Sequence, residues 1–208
     1  MDAGRPLPVA FYRRPVEVVA RDLLGRHLVR ELDGEPLVLR IVETEAYLGA
    51  PDAASHAAGG RRTARNESLY LPGGYAYVYF VYGMHHCLNA VAGRRDEGGA
   101  VLLRAGEPVA GEERMRALRG LIGEGGRRVR PGEVAGGPGR LCRALAVDRA
   151  FDGGPLYRGP LRILAGEPVV DRGVARGPRI GVGYAGAAAD WPLRFAVAGN
   201  LHVSRPRP

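Results

Sequence analysis

The chain has 208 residues, which suits one domain with a sizeable core, and no break in composition calls for a second domain. Its formal net charge of +8 favours a polyanionic partner, and without a bilayer-length apolar run or a signal-peptide pattern we expect a cytoplasmic protein with no membrane partner. All 30 lysine-plus-arginine positions are arginine, which excludes an imine mechanism through a lysine amine.

The N-terminal part of the chain predicts a helix followed by a β-hairpin. An apolar stripe that begins near a proline and ends at a glycine predicts a helix over residues 11–25. Residues 27–32 have the composition of a strand, and Asp33-Gly34 is a strong signal for a tight turn into a second strand at residues 37–48.

Two carboxylates lie on the second strand of this hairpin. Alternate side chains of a strand share a face, so we expect Glu43, Glu45 and Tyr47 to point the same way. A pair of carboxylates could serve a small-molecule hydrolase, but the high positive charge and the arginine-rich loop that follows argue against that class.

Residues 49–68 are predicted to form a loop rich in small side chains and paired glycines. Four of its residues suit contacts to a phosphate backbone: Arg61, Thr63, Arg65 and Asn66. The alternative is an ordinary solvated loop, because arginine-rich loops are common in a chain that has no lysine.

Tyrosine is concentrated in the next segment, since five of the nine tyrosines lie between residues 70 and 82. Their alternation predicts a strand on which Tyr75, Tyr77 and Tyr79 share one face, followed by a return strand at residues 85–91. Aromatic rings beside a carboxylate suit the binding of a flat, polar or cationic ring. The alternative is an ordinary half-buried strand with its tyrosines on the wetter face.

Tyr82 falls at the predicted tip of this second hairpin. An exposed ring there could enter a base stack as a wedge, or it could pack under a loop. The neighbouring His85 and His86 would point to opposite faces of a strand, which is poor geometry for two ligands of one metal. Together with only two cysteines and no CxxC motif, this predicts no metal and no cofactor.

The second half of the chain predicts a strand at residues 100–104, which Arg104 ends, and a helix at residues 107–118. Residues 120–137 are rich in glycine and arginine and are expected to be a mobile loop. A further helix is predicted to begin at Pro138 or Gly139, where the free amides and two arginines, Arg140 and Arg143, suit a phosphate. Gly139 and Arg140 are the contacts expected there.

Short strands are expected at residues 161–164 and 192–197, separated by a glycine-rich segment, 179–183. Strands with occasional helices and no regular βαβ spacing predict a single α+β domain that spans residues 1–208.

Motifs along most of the chain, in order, resemble the alkyladenine (3-methyladenine) DNA glycosylase family. They are Val-Glu-Thr-Glu-Ala-Tyr-Leu-Gly at 42–49, the loop at 56–66, Tyr-Val-Tyr-Phe-Val-Tyr-Gly-Met at 77–84, Asn89, Val-Leu-Leu-Arg-Ala at 101–105, Gly-Pro-Gly-Arg-Leu-Cys at 137–142, Arg-Ile-Gly-Val-Gly at 179–183 and Pro-Leu-Arg-Phe at 192–195. The resemblance implies a curved, mainly antiparallel sheet with flanking helices and a protruding β-hairpin that enters the DNA minor groove.

The resemblance also implies a role for each matching residue. Glu45 would be the general base that activates water at the sugar C1′, and Arg104 and the carbonyl near Val182 would help to position that water. Tyr47, His56 and Tyr79 would sandwich the flipped base, Tyr82 would fill the gap that the base leaves, and Asn89 would exclude the amino group of guanine.

We therefore expect a monofunctional glycosylase that excises alkylated or deaminated purines from double-stranded DNA, such as 3-methyladenine, hypoxanthine or ethenoadenine, without lyase activity. It would act as a monomer, associated with the nucleoid in the cytoplasm. The alternative is a non-catalytic nucleic-acid-binding module on the same fold, and Glu45 distinguishes the two, because a binding module gains nothing from a carboxylate that faces a phosphate backbone.

Two departures from the family pattern stand out. Residues 186–191, Gly-Ala-Ala-Ala-Asp-Trp, replace an expected Glu-Trp followed by basic residues, which leaves local packing or a backbone contact in question. Two residues are inserted between Asn89 and Arg104, where we expect a surface loop.

Overall fold

The structure, a computed structural model, describes residues 4–81, 83–121 and 128–208. Within these ranges the strands are β1 (His27–Leu32), β2 (Glu35–Tyr47), β3 (Ala76–Val81), β4 (His85–Val91), β5 (Ala100–Ala110), β6 (Leu161–Leu164), β7 (Val174–Gly177) and β8 (Arg194–Val197). The α-helices are α1 (Val9–Tyr12), α2 (Val16–Asp22), α3 (Glu112–Leu118) and α4 (Pro138–Ala144). Short 3-10 segments lie at Ala58–Gly60, Glu67–Tyr70, Arg149–Phe151, Asp171–Gly173 and Gly183–Asp190.

The strands form one antiparallel sheet whose main order is β3-β4-β5-β2-β1-β6. The first half of β2 pairs with β1 and its second half with β8, which in turn pairs with β7. Register shifts between β2 and β5 near Ile41 and Glu43 mark bulges, and bulges bend a strand and increase its twist. The domain is therefore α+β, with the curved antiparallel sheet that the sequence predicts.

Helices α2 and α4 cover the sheet and complete the main hydrophobic core. Val19 and Ala20 of α2 are fully buried in it, as is Leu141 of α4. Each of these helices has only seven residues, too few for stability in isolation, so they depend on this burial. None of the helices in the described ranges has the length and apolar character needed to cross a membrane.

Both predicted hairpins are present. β1 has the predicted bounds, and Asp33 and Gly34 have φ angles of 53° and 82°, the left-handed values that a two-residue turn requires. The tyrosine strand and its return strand are β3 and β4, which pair at the end of the sheet. Tyr82, at the predicted tip, lies outside the described residues.

The single helix predicted over residues 11–25 is wrong, because the structure has the separate helices α1 and α2 there. Pro15 has an extended backbone, with φ −49° and ψ 139°, and stands before the first residue of α2. A proline also disfavours the helical conformation at the preceding residue, Arg14, so one helix could not continue through this point.

The helix predicted at residues 107–118 begins only at Glu112, because β5 continues through Ala110. Gly111, with φ 72°, makes the left-handed turn between strand and helix. Arg104 consequently lies inside a long strand and does not end it. The strand expected at residues 192–197 is shortened to β8, and β7 is not predicted from the sequence.

The loop expected to be mobile over residues 120–137 is described only in part, since residues 122–127 lie outside the described ranges. In the described part, Val134 and Ala135 are buried, and Gly136 forms a β-bridge with Ala105. The end of this segment thus packs against β5 immediately before α4. Its mobility stays a prediction.

Candidate active site

A cavity of about 530 Å³ lies where the end of β2, the β3–β4 hairpin, the start of α4 and residues 180–184 meet. The five residues predicted to bind a base and the arginine predicted to act beside them all line it: Tyr47, His56, Tyr79, Asn89, Val182 and Arg104. Gly139 and Arg140 also contribute to the lining. This volume is typical of a site for a small organic molecule or a single base.

One wall of the cavity is aromatic. The rings of His56 and Tyr79 meet edge to face with their centroids 4.6 Å apart. The ring of the buried Tyr77 is next to that of Tyr79, with 5.4 Å between the two ring centroids. The Tyr77 hydroxyl is 2.9 Å from Nδ1 of His56. Tyr75 instead contacts the ring of Tyr157, away from this cluster.

The environment of His56 favours its neutral form. Burial of the imidazole against the aromatic wall lowers its pKa, and the positive charges of Arg65 and Arg61 lower it further. A neutral ring presents a π-face and leaves its second nitrogen, Nε2, free for a ligand.

Glu45 has no solvent-exposed surface, and within the described ranges three neighbouring groups hold it. Ile180 donates its backbone N–H to Oε1 at 2.7 Å, and the Tyr47 hydroxyl donates to Oε2 at 2.9 Å. The Nη1 atom of Arg104 is 3.3 Å from the same Oε2. A carboxylate has about four acceptor positions, so one of them, on Oε1, remains for a further hydrogen bond.

Burial raises the pKa of Glu45 above its ordinary value, and the nearby Arg104 and the two hydrogen bonds offset this only in part. Burial likewise raises the pKa of the Tyr47 hydroxyl, to which the Glu45 charge adds. Tyr47 therefore stays protonated and acts as a hydrogen-bond donor. The pair combines a carboxylate that holds a proton more readily than usual with a donor that does not ionise.

The second carboxylate of β2, Glu43, is also fully buried. It forms an ion pair with Arg104, whose Nε donates to Oε1 at 2.9 Å. A second arginine, Arg194 of β8, donates its Nε to the same oxygen at 2.7 Å. Ser204 adds its backbone N–H at 2.8 Å and its hydroxyl at 2.9 Å. Burial alone would raise the pKa of Glu43, but these positive charges and hydrogen bonds together lower it.

A buried ion pair connects the two loops that flank Glu45. Both side chains of the pair, Arg179 and Asp52, are fully buried. Asp52 also accepts the backbone N–H groups of Leu48 and Ala54, each at 3.0 Å. The Cζ atom of Arg179 lies 4.8 Å from the centroid of the Tyr47 ring, on which its guanidinium stacks. We call these two residues the Asp52–Arg179 clamp.

Asn89 and Val182 are both buried at the cavity. The Asn89 amide donates to the carbonyl of Tyr77 at 3.0 Å, which fixes the orientation of its side chain. The carbonyl of Val182 accepts the N–H of Ala185 at 2.9 Å, so one of its two acceptor positions is already used.

The predicted phosphate contacts in the loop after β2 differ in exposure. Arg61, Thr63 and Arg65 are exposed, whereas Asn66 is buried. The Asn66 side chain accepts from the N–H of Thr63 at 2.7 Å and donates to the carbonyls of His56 and Arg61 at 2.9 Å each. Asn66 thus holds the loop together from within, while Arg61 and Arg65 lie on its exposed surface.

Sequence reasoning missed several residues that shape this site: Asp52, Ser204 and the partners Arg179 and Arg194. Each joins segments that are far apart in the chain, and nothing in the local pattern around any of them indicates the contact. Arg194 and Arg179 lie within motifs that support the family resemblance, which is the one signal that could have found them. Among the described residues, no group of three or more histidine, cysteine or acidic side chains is arranged to hold a metal ion.

Comparison with known proteins finds similar sequences along nearly the whole chain. The sequence profile of the methylpurine-DNA glycosylases matches residues 10–201. A protein of Myxococcus xanthus is 48% identical over 97% of this chain and 95% of its own length. The DNA-3-methyladenine glycosylase of mouse is 44% identical over 93% of this chain and 60% of the mouse protein, and that of human is 43% identical over 95% and 67%.

Proposed function

The chain belongs to the methylpurine-DNA glycosylase family, and on that premise we propose that it excises alkylated or deaminated purines from double-stranded DNA. Water is the nucleophile in this proposal, because the chain has no lysine to form an imine. The product is then an uncleaved abasic site, and no lyase step follows. The observation that carries the proposal is a buried carboxylate, Glu45, placed next to an aromatic cavity of the right size for a base.

The base must leave the duplex before its glycosidic bond can be reached, which costs roughly a few kcal/mol. Stacking on aromatic side chains is worth about 1–3 kcal/mol per base and offsets this cost. Tyr47, His56 and Tyr79 supply such rings around the cavity. Alkylated purines are often cationic or electron-poor, so an aromatic site prefers them over normal bases.

Glu45 is assigned as the general base and as the group that stabilises positive charge on the sugar. Its raised pKa brings it closer to the pH at which a base is most effective. The free acceptor position on Oε1 is where water would bind, while Arg104 contacts the other oxygen, Oε2. Because Glu45 is closed to solvent, a small shift of Tyr47 or Arg104 has to admit that water.

Selectivity is assigned to Asn89, whose fixed amide would meet the 2-amino group of guanine but leave room for an adenine-type edge. DNA backbone contacts are assigned to the exposed Arg61, Thr63 and Arg65 and to Gly139 and Arg140 at the cavity. Asn66 supports these contacts by holding its loop in shape. We further propose that Tyr82 fills the gap left by the flipped base, and that the enzyme acts as a monomer.

The experiment that tests this function is base release from duplexes that each carry one lesion, with wild type compared with Glu45→Gln. Lesions should include 3-methyladenine-type bases, hypoxanthine and ethenoadenine, with binding measured on the same duplexes. We expect release by wild type and a loss of at least about 100-fold in the variant, since general bases contribute about 10²–10⁴-fold. DNA binding should be kept in both.

The competing function is a non-catalytic DNA-binding module on the same fold. It predicts that wild type and Glu45→Gln bind damaged duplex equally and that neither releases any base. That outcome would remove the enzyme assignment while leaving the DNA partner in place.

A further inference from the structure

Two buried carboxylates share one arginine, Arg104, which lines the cavity. Arg104 makes a short contact to Glu43, 2.9 Å from Nε to Oε1, and a longer one to Glu45, 3.3 Å from Nη1 to Oε2. Both carboxylates are completely buried, so neither is screened by water. The position of Arg104 between them therefore decides how much positive charge Glu45 experiences.

Glu43 fixes that position because it is itself buried and held by several further hydrogen bonds. Besides Arg104, it binds Arg194 and both the backbone N–H and the hydroxyl of Ser204. The remaining guanidinium nitrogen of Arg104, Nη2, lies 3.3 Å from the same Ser204 hydroxyl. Arg104 is thus held on the Glu43 side by both Nε and Nη2, and a segment near the C-terminus completes the arrangement.

We infer that Glu43 is a positioning residue for base excision: it holds Arg104 back from a closer pairing with Glu45, so that Glu45 remains basic enough to take a proton from water. This inference rests on the proposed function, and it assigns a role to a residue that makes no contact with the cavity. Without Glu43, Arg104 would pair fully with Glu45, which would weaken both its basicity and its ability to stabilise a cationic sugar.

The electrostatics around the two carboxylates agree with this division. The pKa of Glu43 is lowered, as expected for the carboxylate that has the stronger hold on Arg104. Burial raises the pKa of Glu45, and the negative charge of Glu43 raises it further. A charge-neutral residue at position 43 would remove that contribution.

Other titratable groups near Glu45 do not replace this effect. From β2 it faces the Tyr47 hydroxyl, which stays protonated, and from β5 it faces Arg104. Across the cavity, burial raises the pKa values of Tyr79 and Cys87, so both are neutral near pH 7. Arg194 pairs with Glu45 through the β8 backbone, but its guanidinium is bound to Glu43.

The test is the pH dependence of single-turnover base release at saturating enzyme, compared between wild type, Glu43→Gln and Glu43→Asp. In Glu43→Gln we expect the acid limb of the profile to move to lower pH by about one to two units, the usual effect of a close opposite charge on a carboxylate. The rate on the plateau should fall about tenfold or more, a part of what a general base contributes. Binding of the lesion duplex should not change, and Glu43→Asp should restore the limb toward its wild-type position.

Arg194→Gln is the matched control, because it also removes one buried partner of Glu43 but leaves Arg104 on Glu43. It should reduce thermal stability as Glu43→Gln does while leaving the acid limb in place. If Glu43→Gln does not fold, Ser204→Ala removes the hydroxyl that binds both Glu43 and Arg104 and should give a smaller shift in the same direction.

The inference is overturned if Glu43→Gln, or Ser204→Ala in its place, releases base with the acid limb of wild type, whatever its stability. It is also overturned if Arg194→Gln shifts the limb as far as Glu43→Gln does, because the effect would then be general destabilisation. Absence of release by wild type at every pH would instead overturn the proposed function and the inference together.

Discussion

At the scale of single residues, the Tyr47 hydroxyl affects the chemistry of Glu45 separately from any stacking by its ring. It donates to Oε2 of Glu45 at 2.9 Å, and this hydrogen bond is one of the influences that lower the pKa of the carboxylate. A reaction that needs ionised Glu45 becomes faster as pH rises through that pKa. Because burial nevertheless raises the pKa of Glu45, the acid limb of the rate lies above the ordinary glutamate value of about 4.3.

Tyr47→Phe should move this limb to still higher pH. The variant keeps the aromatic ring but removes the donor, so ionised Glu45 is less stabilised and its pKa rises further. Tyr79→Phe is the matched control, because the Tyr79 hydroxyl pairs with the thiol of Cys87 and does not donate to Glu45. Single-turnover base release measured against pH checks this, and equal limbs in wild type and Tyr47→Phe would contradict it.

At the scale of elements, the Asp52–Arg179 clamp ties the loop after β2 to the segment that carries Ile180. Removing one partner leaves a buried, unpaired charge, which typically destabilises a protein by about 3–5 kcal/mol. We expect Arg179→Met to lower the free energy of unfolding by that amount near pH 7, measured by chemical denaturation. Release of the damaged base should also slow, because the Ile180 N–H would no longer be held against Glu45.

The pH dependence of this loss has a defined sign. Hydrogen bonds from Arg179 lower the pKa of Asp52 despite its burial. A carboxylate with a lowered folded-state pKa stabilises the fold above its unfolded-state pKa of about 3.9, and that contribution is lost as pH falls through the folded-state value. The difference between wild type and Arg179→Met should therefore shrink in acid.

An exposed ion pair supplies the control for the clamp. Arg114 and Asp33 are 3.1 Å apart, with side chains 45% and 75% exposed. Exposed pairs contribute about 0–1 kcal/mol, so Arg114→Met should have little effect on the free energy of unfolding. Equal losses in Arg114→Met and Arg179→Met would show that burial of the clamp is not what makes it stabilising.

The elements that could be predicted from the sequence are those that local chemistry determines. The hairpin at Asp33-Gly34 needs two residues with left-handed backbone angles, and an Asp-Gly dipeptide is typical of such a turn. The helix prediction over residues 11–25 failed because apolar periodicity continues through Pro15, although the backbone does not. The length of β5 was underestimated because pairing with β2, a tertiary contact, keeps residues 105–110 extended.

The candidate site was predictable in part for the same reason. Most of the site residues that line the cavity lie within local motifs, and the family resemblance implied a role for each of them. The network behind the cavity was not predictable, since Glu43 meets Arg104, Arg194 and Ser204 across 61, 151 and 161 positions of the chain. No local pattern encodes such contacts, and a buried charge can be recognised only when its partners are known.

At the scale of the whole molecule, the net charge of +8 and the position of the arginines predict how DNA binding depends on salt. Arg65 is exposed, and its guanidinium donates to the carbonyl of Phe80 at 3.1 Å, which places it beside the β3–β4 hairpin at the cavity. Arg114 lies instead beside Asp33, at the start of β2. Residues 33 and 114 are not part of the cavity lining, so Arg114 does not share the surface on which Arg65 lies.

Arg65→Gln should therefore weaken binding to damaged and undamaged duplex alike. If Arg65 contacts one phosphate, the slope of log Kd against log salt concentration becomes shallower by about one, because one fewer counterion is released. Arg114→Gln carries the same change of charge outside the cavity lining, so its slope should match that of wild type. Titration of both variants at several salt concentrations measures the two slopes. A decrease of equal size in both would mean that the total charge of the protein attracts DNA without a defined contact face at the cavity.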